Sequence, residues 1–83
     1  MDTKQITAEQ CRMARAALGW GVRDLAAKAE VSHGTIQRLE RGETLRPLTA
    51  RAIREAMEAA GVQFIAENGG GPGVRLDKPA PRD

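Results

Sequence analysis

Cysteine is almost missing from this 83-residue chain: Cys11 stands alone, so no internal disulfide can brace the fold. His33 is the single histidine, and one Cys with one His falls short of the four ligands of a structural zinc site. There is no Tyr, one Trp (Trp20) and one Phe (Phe64), too few aromatics to build the stacking platform that single-stranded nucleic acid requires. No apolar run approaches the roughly 18 residues of a membrane span, and the opening MDTKQITAEQ carries no apolar signal region. A cytoplasmic protein with a reduced thiol is the expectation. No metal, cofactor, membrane or small-molecule ligand is expected, because 83 residues leave no room for a separate ligand domain.

What is present suits a soluble globular domain: 41% hydrophobic and 29% charged residues. A chain of this size buries only roughly 60–65% of its unfolded surface. With disulfide and metal excluded, association with a second copy is the remaining source of added stability, and a homodimer is expected. The net charge is only +2, but its distribution is uneven. Residues 32–54 hold five arginines (Arg38, Arg41, Arg46, Arg51, Arg54) against two acids (Glu40, Glu43) and no lysine. The planar guanidinium fork suits phosphates and guanine edges. Charge alone leaves two readings open, a nucleic-acid partner or solvated helix faces. Arg51 and Arg54 lean to the second, with Glu55 and Glu58 four residues on.

The hydrophobic spacing predicts four helices. Residues 1–5 are polar and expected to fray. Thr7 reads as an N-cap with Gln10 completing a capping box, and Ile6 with Cys11 forms a hydrophobic staple. Cys11, Ala14, Ala17 and Leu18 give helix 1 its apolar face, and Gly19 ends it. Helix 2 runs from about Val22 to Ala29, with Val22, Leu25, Ala26 and Ala29 facing inward. Ser32 caps a third helix over about His33 to Arg41, carrying Ile36 and Leu39 inward, and Gly42 stops it. After the connection ETLRP a fourth helix spans about Leu48 to Ala60, its stripe formed by Leu48, Ala52, Ile53, Ala56, Met57 and Ala60. Met13 is expected to fill the core or an interface, and Trp20 to plug the core.

Beyond Gly61 the pattern changes. Val62–Ala66 and Val74–Leu76 flank GGGPG and read as a two-stranded hairpin. The glycine-rich loop is not a phosphate loop, since it lacks GK[ST] and a following helix. Residues 1–61 are thus expected to form the main domain, 62–77 a hairpin, and 78–83 a disordered tail. An isolated ribbon is marginal. Val62, Phe64, Ile65, Val74 and Leu76 need a surface to cover, either helix 4 of the same chain or the hairpin of a partner. The second is favoured because it removes an exposed edge, making these five residues a dimer interface.

The informative stretch is GVRDLAAKAEVSHGTIQRLERG, residues 21–42. Two short helices share Leu25, Ala26, Ala29, Val31, Ile36 and Leu39. Such a unit leaves the first turns of its second helix projecting, in a shape that fits the roughly 12 Å major groove of B-DNA. His33, Gly34, Thr35, Gln37 and Arg38 are presented there, and Gln and Arg are the side chains that read adenine and guanine edges with two hydrogen bonds.

The pattern L-A-x-x-A-x-V-S-x-x-x-I-x-x-x-E-x-G, Leu25 to Gly42, closely resembles the Xre type of helix-turn-helix found in Cro and lambda-like phage repressors. The resemblance covers residues 6–60. It implies a mainly α, four- to five-helix lambda-repressor-like domain that binds double-stranded DNA, here followed by the short hairpin. It places His33, Gly34, Thr35, Gln37 and Arg38 at base-contacting positions. Ser32 would cap the recognition helix at the phosphate backbone, and Arg41, Thr44 and Arg46 would grip phosphates. Glu40 falls where a carboxylate pairs with an arginine of helix 1, for which Arg15 is the candidate. Three positions depart from the family pattern. Gly21-Val22 replaces the usual Ser/Thr-Gln, removing a phosphate anchor for which Arg23 is the substitute. Glu30 replaces a turn glycine, at roughly 1 kcal/mol. Gly34 removes one side chain from the reading face.

The function expected is a sequence-specific regulator, a repressor bound as a homodimer to a pseudo-palindromic operator. The alternative is an antitoxin-like protein that neutralises a partner and autoregulates its operon; the short segment after helix 4 argues against it. An enzyme is not expected: Cys11 falls on a core face, and His33 has no assembled carboxylate or nucleophile.

Overall fold

The computed structural model describes residues 5–77. Within them the chain forms α1 (Ala8–Leu18), α2 (Val22–Ala29), α3 (His33–Glu40), α4 (Pro47–Ala59), β1 (Val62–Ile65) and β2 (Gly73–Leu76). The protein is mainly helical, with a short antiparallel hairpin at its C-terminal side. The expected tail, residues 78–83, lies outside the described residues. Gln5, placed in a fraying end by the sequence, is instead tied down. Its Nε2 donates to Leu45 O at 2.7 Å, and its Oε1 accepts from Leu45 N at 3.2 Å.

Local chemistry sets the helix ends. Thr7 Oγ1 accepts from Gln10 N at 3.0 Å, and Gln10 Oε1 accepts from Thr7 N at 2.9 Å, a reciprocal cap on α1. Gly19 closes α1 in the left-handed conformation (φ 71°). Gly21 has no side chain to offer α2, so Asp24 supplies the bond, its Oδ2 accepting from Gly21 N at 2.8 Å. Pro47 opens α4, where its missing N–H leaves nothing unpaired.

The core is one cluster. Leu25, Ile36, Ile53, Met57, Val62 and Cys11 are fully buried, with Ile6, Ala14, Ala26, Ala29, Leu39, Leu45 and Ala50 around them. Leu18, Trp20, Val22, Val31, Ala56, Phe64 and Val74 pack against its edges. Several expected positions change. Leu48 is 76% exposed and lies outside the stripe of α4. The inward positions of that helix are Ala50, Ile53 and Met57, and Leu48 is two residues, about 200° of helical rotation, from Ala50. Ala17 and Ala60 are also exposed, and Met13 is 38% exposed.

The hairpin packs on its own chain, against α1 and α4. Its register pairs Val62 with Leu76, Gln63 with Arg75, Phe64 with Val74 and Ile65 with Gly73. Opposed residues share a face, so Val62, Phe64 and Val74 turn toward the core while Gln63 and Arg75 meet outside (2.7 Å). The five residues expected to form a dimer interface therefore divide. Val62, Phe64 and Val74 are taken up by the chain's own core, and only Ile65 and Leu76 remain outside it.

Gln10 makes the junction. Its side chain is buried (4% exposed), and Nε2 donates to Ile65 O at 3.0 Å and Gly73 O at 2.9 Å. One carboxamide thus caps α1 and holds the loop end of the hairpin. Gln10→Ala is expected to cost about 1–2 kcal/mol by leaving these groups without a partner. The hairpin amides should then lose hydrogen-exchange protection before those of α2 and α3.

Candidate nucleic-acid interface

α2 and α3 meet through Leu25, Ala26, Ala29, Ile36 and Leu39, all buried. The turn between them passes through Glu30, the only non-glycine residue with positive φ (60°) among the described residues. Glu30 N–H donates to Ala27 O (3.3 Å) and Val31 N–H to Ala26 O (3.0 Å), which hold the turn against the strain of a left-handed side chain. Ser32 Oγ then accepts from Thr35 N at 3.2 Å and lies 2.9 Å from Thr35 Oγ1. These bonds fix where α3 begins and how it leaves the surface.

Burying Ile36 and Leu39 turns the opposite side of α3 outward. His33, Gln37 and Arg38 are exposed there, with Gly34 and Thr35 partly so. Arg41, Thr44 and Arg46, after α3 and before α4, are exposed, as are Ser32 and Arg23. Arg23 and Arg46 make no ion pair among the described residues, whereas Arg51–Glu55 (3.2 Å) and Arg54–Glu58 (2.8 Å) are paired along α4. Arg54 also lies over the Phe64 ring, 5.5 Å from its centroid, and so spans the α4–β1 junction.

The structure brings Arg15 and Glu40 together. Arg15 Nε donates to Glu40 Oε2 at 2.7 Å and Nη2 to Oε1 at 2.8 Å, a two-pronged pair with side chains 20% and 11% exposed. The remaining Nη1 donates to Trp20 O at 3.2 Å, and Arg12 Nη1 donates to Glu40 O at 2.6 Å. Two arginines of α1 therefore grip the end of α3. Burial pushes the Glu40 carboxyl up, but hydrogen bonds from Arg15 and Cys11 and the charges of Arg15 and Arg12 outweigh it and hold the group below its ordinary value. Hydrogen bonding to Glu40 raises Arg15 in turn. Burial, then the adjoining Glu40, pushes the Cys11 thiol far above its usual range, so it stays protonated and unreactive.

Sequence reasoning missed the two longest-range holds on this face. Gln5 clamps Leu45 and with it the connection that carries Thr44 and Arg46. Leu45 itself is buried, 5% exposed. The alternation of exposed Thr44, buried Leu45 and exposed Arg46 was the one available signal.

Residues 8–65 match the family model of a helix-turn-helix domain, more than half of the chain. The chain belongs to the helix-turn-helix domain family. No curated protein sequence gives a significant match. In this helix-turn-helix domain α2 is the first helix of the motif and α3 the second, the one that enters DNA in proteins of this class. The helix-turn-helix assignment places the protein among DNA-binding regulators, and no helix among its described residues is long and apolar enough to cross a membrane.

Proposed function

We propose that the protein is a sequence-specific transcriptional regulator of the Xre type. It recognises a pseudo-palindromic operator as a homodimer and represses by occluding a promoter. The observation that carries this reading is the outward face of α3. His33, Gln37 and Arg38 are presented to solvent by a helix whose other side is fully buried and whose end is clamped by Arg12 and Arg15. His33, Gly34, Thr35, Gln37 and Arg38 approach bases in the major groove. Ser32, Arg23, Arg41, Thr44 and Arg46 surround them at the sugar-phosphate backbone. Such a division of labour, with base edges at the centre and phosphates at the rim, gives orientation and sequence preference together.

Dimerisation is supported by apolar surface left outside the core, Leu48 at 76% and Leu76 at 38% exposed. A two-fold pair would set two recognition helices about one helical turn, roughly 34 Å, apart. Sedimentation of the full chain is expected to show a dimer; a monomer at every concentration would remove that part of the proposal.

Selection of bound fragments from a random duplex pool tests the whole reading. It should return two inverted half-sites about 10 base pairs apart centre to centre. Recovery of no enriched sequence would sink sequence-specific recognition. Arg46→Ala is expected to weaken binding to all duplexes alike and to reduce the slope of log affinity against log salt by about one, since one phosphate contact is lost.

A further inference from the structure

Two of the arginines on this face already have a partner. Arg41 Nη2 donates to Glu43 Oε2 at 3.0 Å, and Glu43 Oε1 lies 3.8 Å from Arg38 Nε. One carboxylate thus stands between two cations on the surface that would meet a polyanion. The backbone keeps it there. Gly42 N–H donates to Leu39 O at 2.9 Å and Glu43 N–H to Arg38 O at 3.1 Å, so Glu43 is fastened to the last turn of α3. Two residues later the Gln5 clamp holds Leu45. The carboxylate can leave the arginines by side-chain rotation, not by movement of the connection.

The approach to Arg38 is one-sided. The nearest approach of Glu43 is to Nε, at 3.8 Å, and Nη1 and Nη2 donate no hydrogen bond among the described residues. Those two nitrogens form the fork that takes guanine O6 and N7 together. We propose that Glu43 is a specificity-determining residue of the DNA interface. It steadies Arg38 with its fork outward for a base, and it cancels part of the charge that Arg38 and Arg41 offer to phosphates anywhere. This inference rests on the DNA-binding reading above. Non-specific binding is driven by phosphate neutralisation and counterion release, whereas the operator adds base contacts. A carboxylate between the two arginines opposes the first kind of binding everywhere and leaves the second intact.

The test is Glu43→Gln, which keeps the shape and removes the charge. Dissociation constants of wild type and variant are measured on the selected operator and on random duplex, from about 50 to 200 mM salt. The variant is expected to bind random duplex about two- to tenfold more tightly, with a salt slope steeper by about one. Its affinity for the operator changes less, so the ratio between the two falls. Equal changes on both duplexes, or none on either, overturn the role of Glu43 while the DNA-binding reading stands. A wild type that binds duplex without discriminating sequence overturns the specificity role as well. A wild type that binds no duplex overturns the DNA-binding reading and this inference with it.

Discussion

Glu40→Ala is expected to destabilise the protein by about 2–4 kcal/mol, at and just below the roughly 3–5 kcal/mol of a broken, fully buried pair. For a domain of this size that lowers the melting temperature by about 10–25 °C, read by circular dichroism. The size of the effect follows from what the carboxylate holds. It accepts two hydrogen bonds from Arg15, at 2.7 and 2.8 Å. Removing it leaves a guanidinium, 20% exposed, facing a void with no counter-charge. A loss under about 1 kcal/mol would mean that the pair behaves like an exposed one.

The same pair sets a pH dependence. The Glu40 carboxyl lies below its ordinary value in the folded chain. Its contribution is therefore complete above the unfolded glutamate value of about 4.3 and is lost as pH falls through the lower folded value. Glu40→Gln lacks this titration, so the stability gap between it and wild type should close on acidification below about pH 4.3. A gap that stays constant down to acid unfolding would count against the assignment.

Arg38→Ala is expected to weaken binding to the selected operator by about tenfold or more, within the 1–3 kcal/mol of one good two-bond base contact. Selection repeated with this variant should return the same half-site with one relaxed position. The loss on random duplex should be smaller, because Glu43 already offsets part of the Arg38 charge 3.8 Å away. Equal losses on both kinds of DNA would reassign Arg38 to a phosphate.

The parts of this molecule legible in its sequence are those governed by neighbours along the chain. The Thr7–Gln10 cap, the Ser32 cap and the i, i+4 pairs of α4 are contacts within four residues, where spacing settles geometry, whereas the left-handed Glu30 follows from the family resemblance alone. Arg15 and Glu40 are 25 residues apart, and only the resemblance of residues 25–42 to a known motif joined them. Where neither help exists the reading fails. Leu48 reads as inward because it is apolar and near a helical repeat, but the starting phase of α4 is set by Pro47 and by Leu45 anchoring the preceding turn. Gln10 reads only as a capping residue, and nothing near it in the chain signals the hairpin more than 50 residues later that it holds. The hairpin was visible in its alternation; its docking side was not, because alternation fixes which residues share a face and not what that face meets.

Trp20 gives the protein an optical reporter of its own. With no Tyr and a single Trp, ultraviolet-excited emission comes almost wholly from one indole. That ring packs at the core edge with Lys28 Nζ 5.8 Å from its centroid, and the backbone carbonyl of the same residue receives Arg15. The wavelength of the emitted light therefore tracks the junction of α1 and α2, where the grip on α3 is assembled. Spectra recorded during titration with a duplex would show, without any label, whether that junction stays closed as the complex forms.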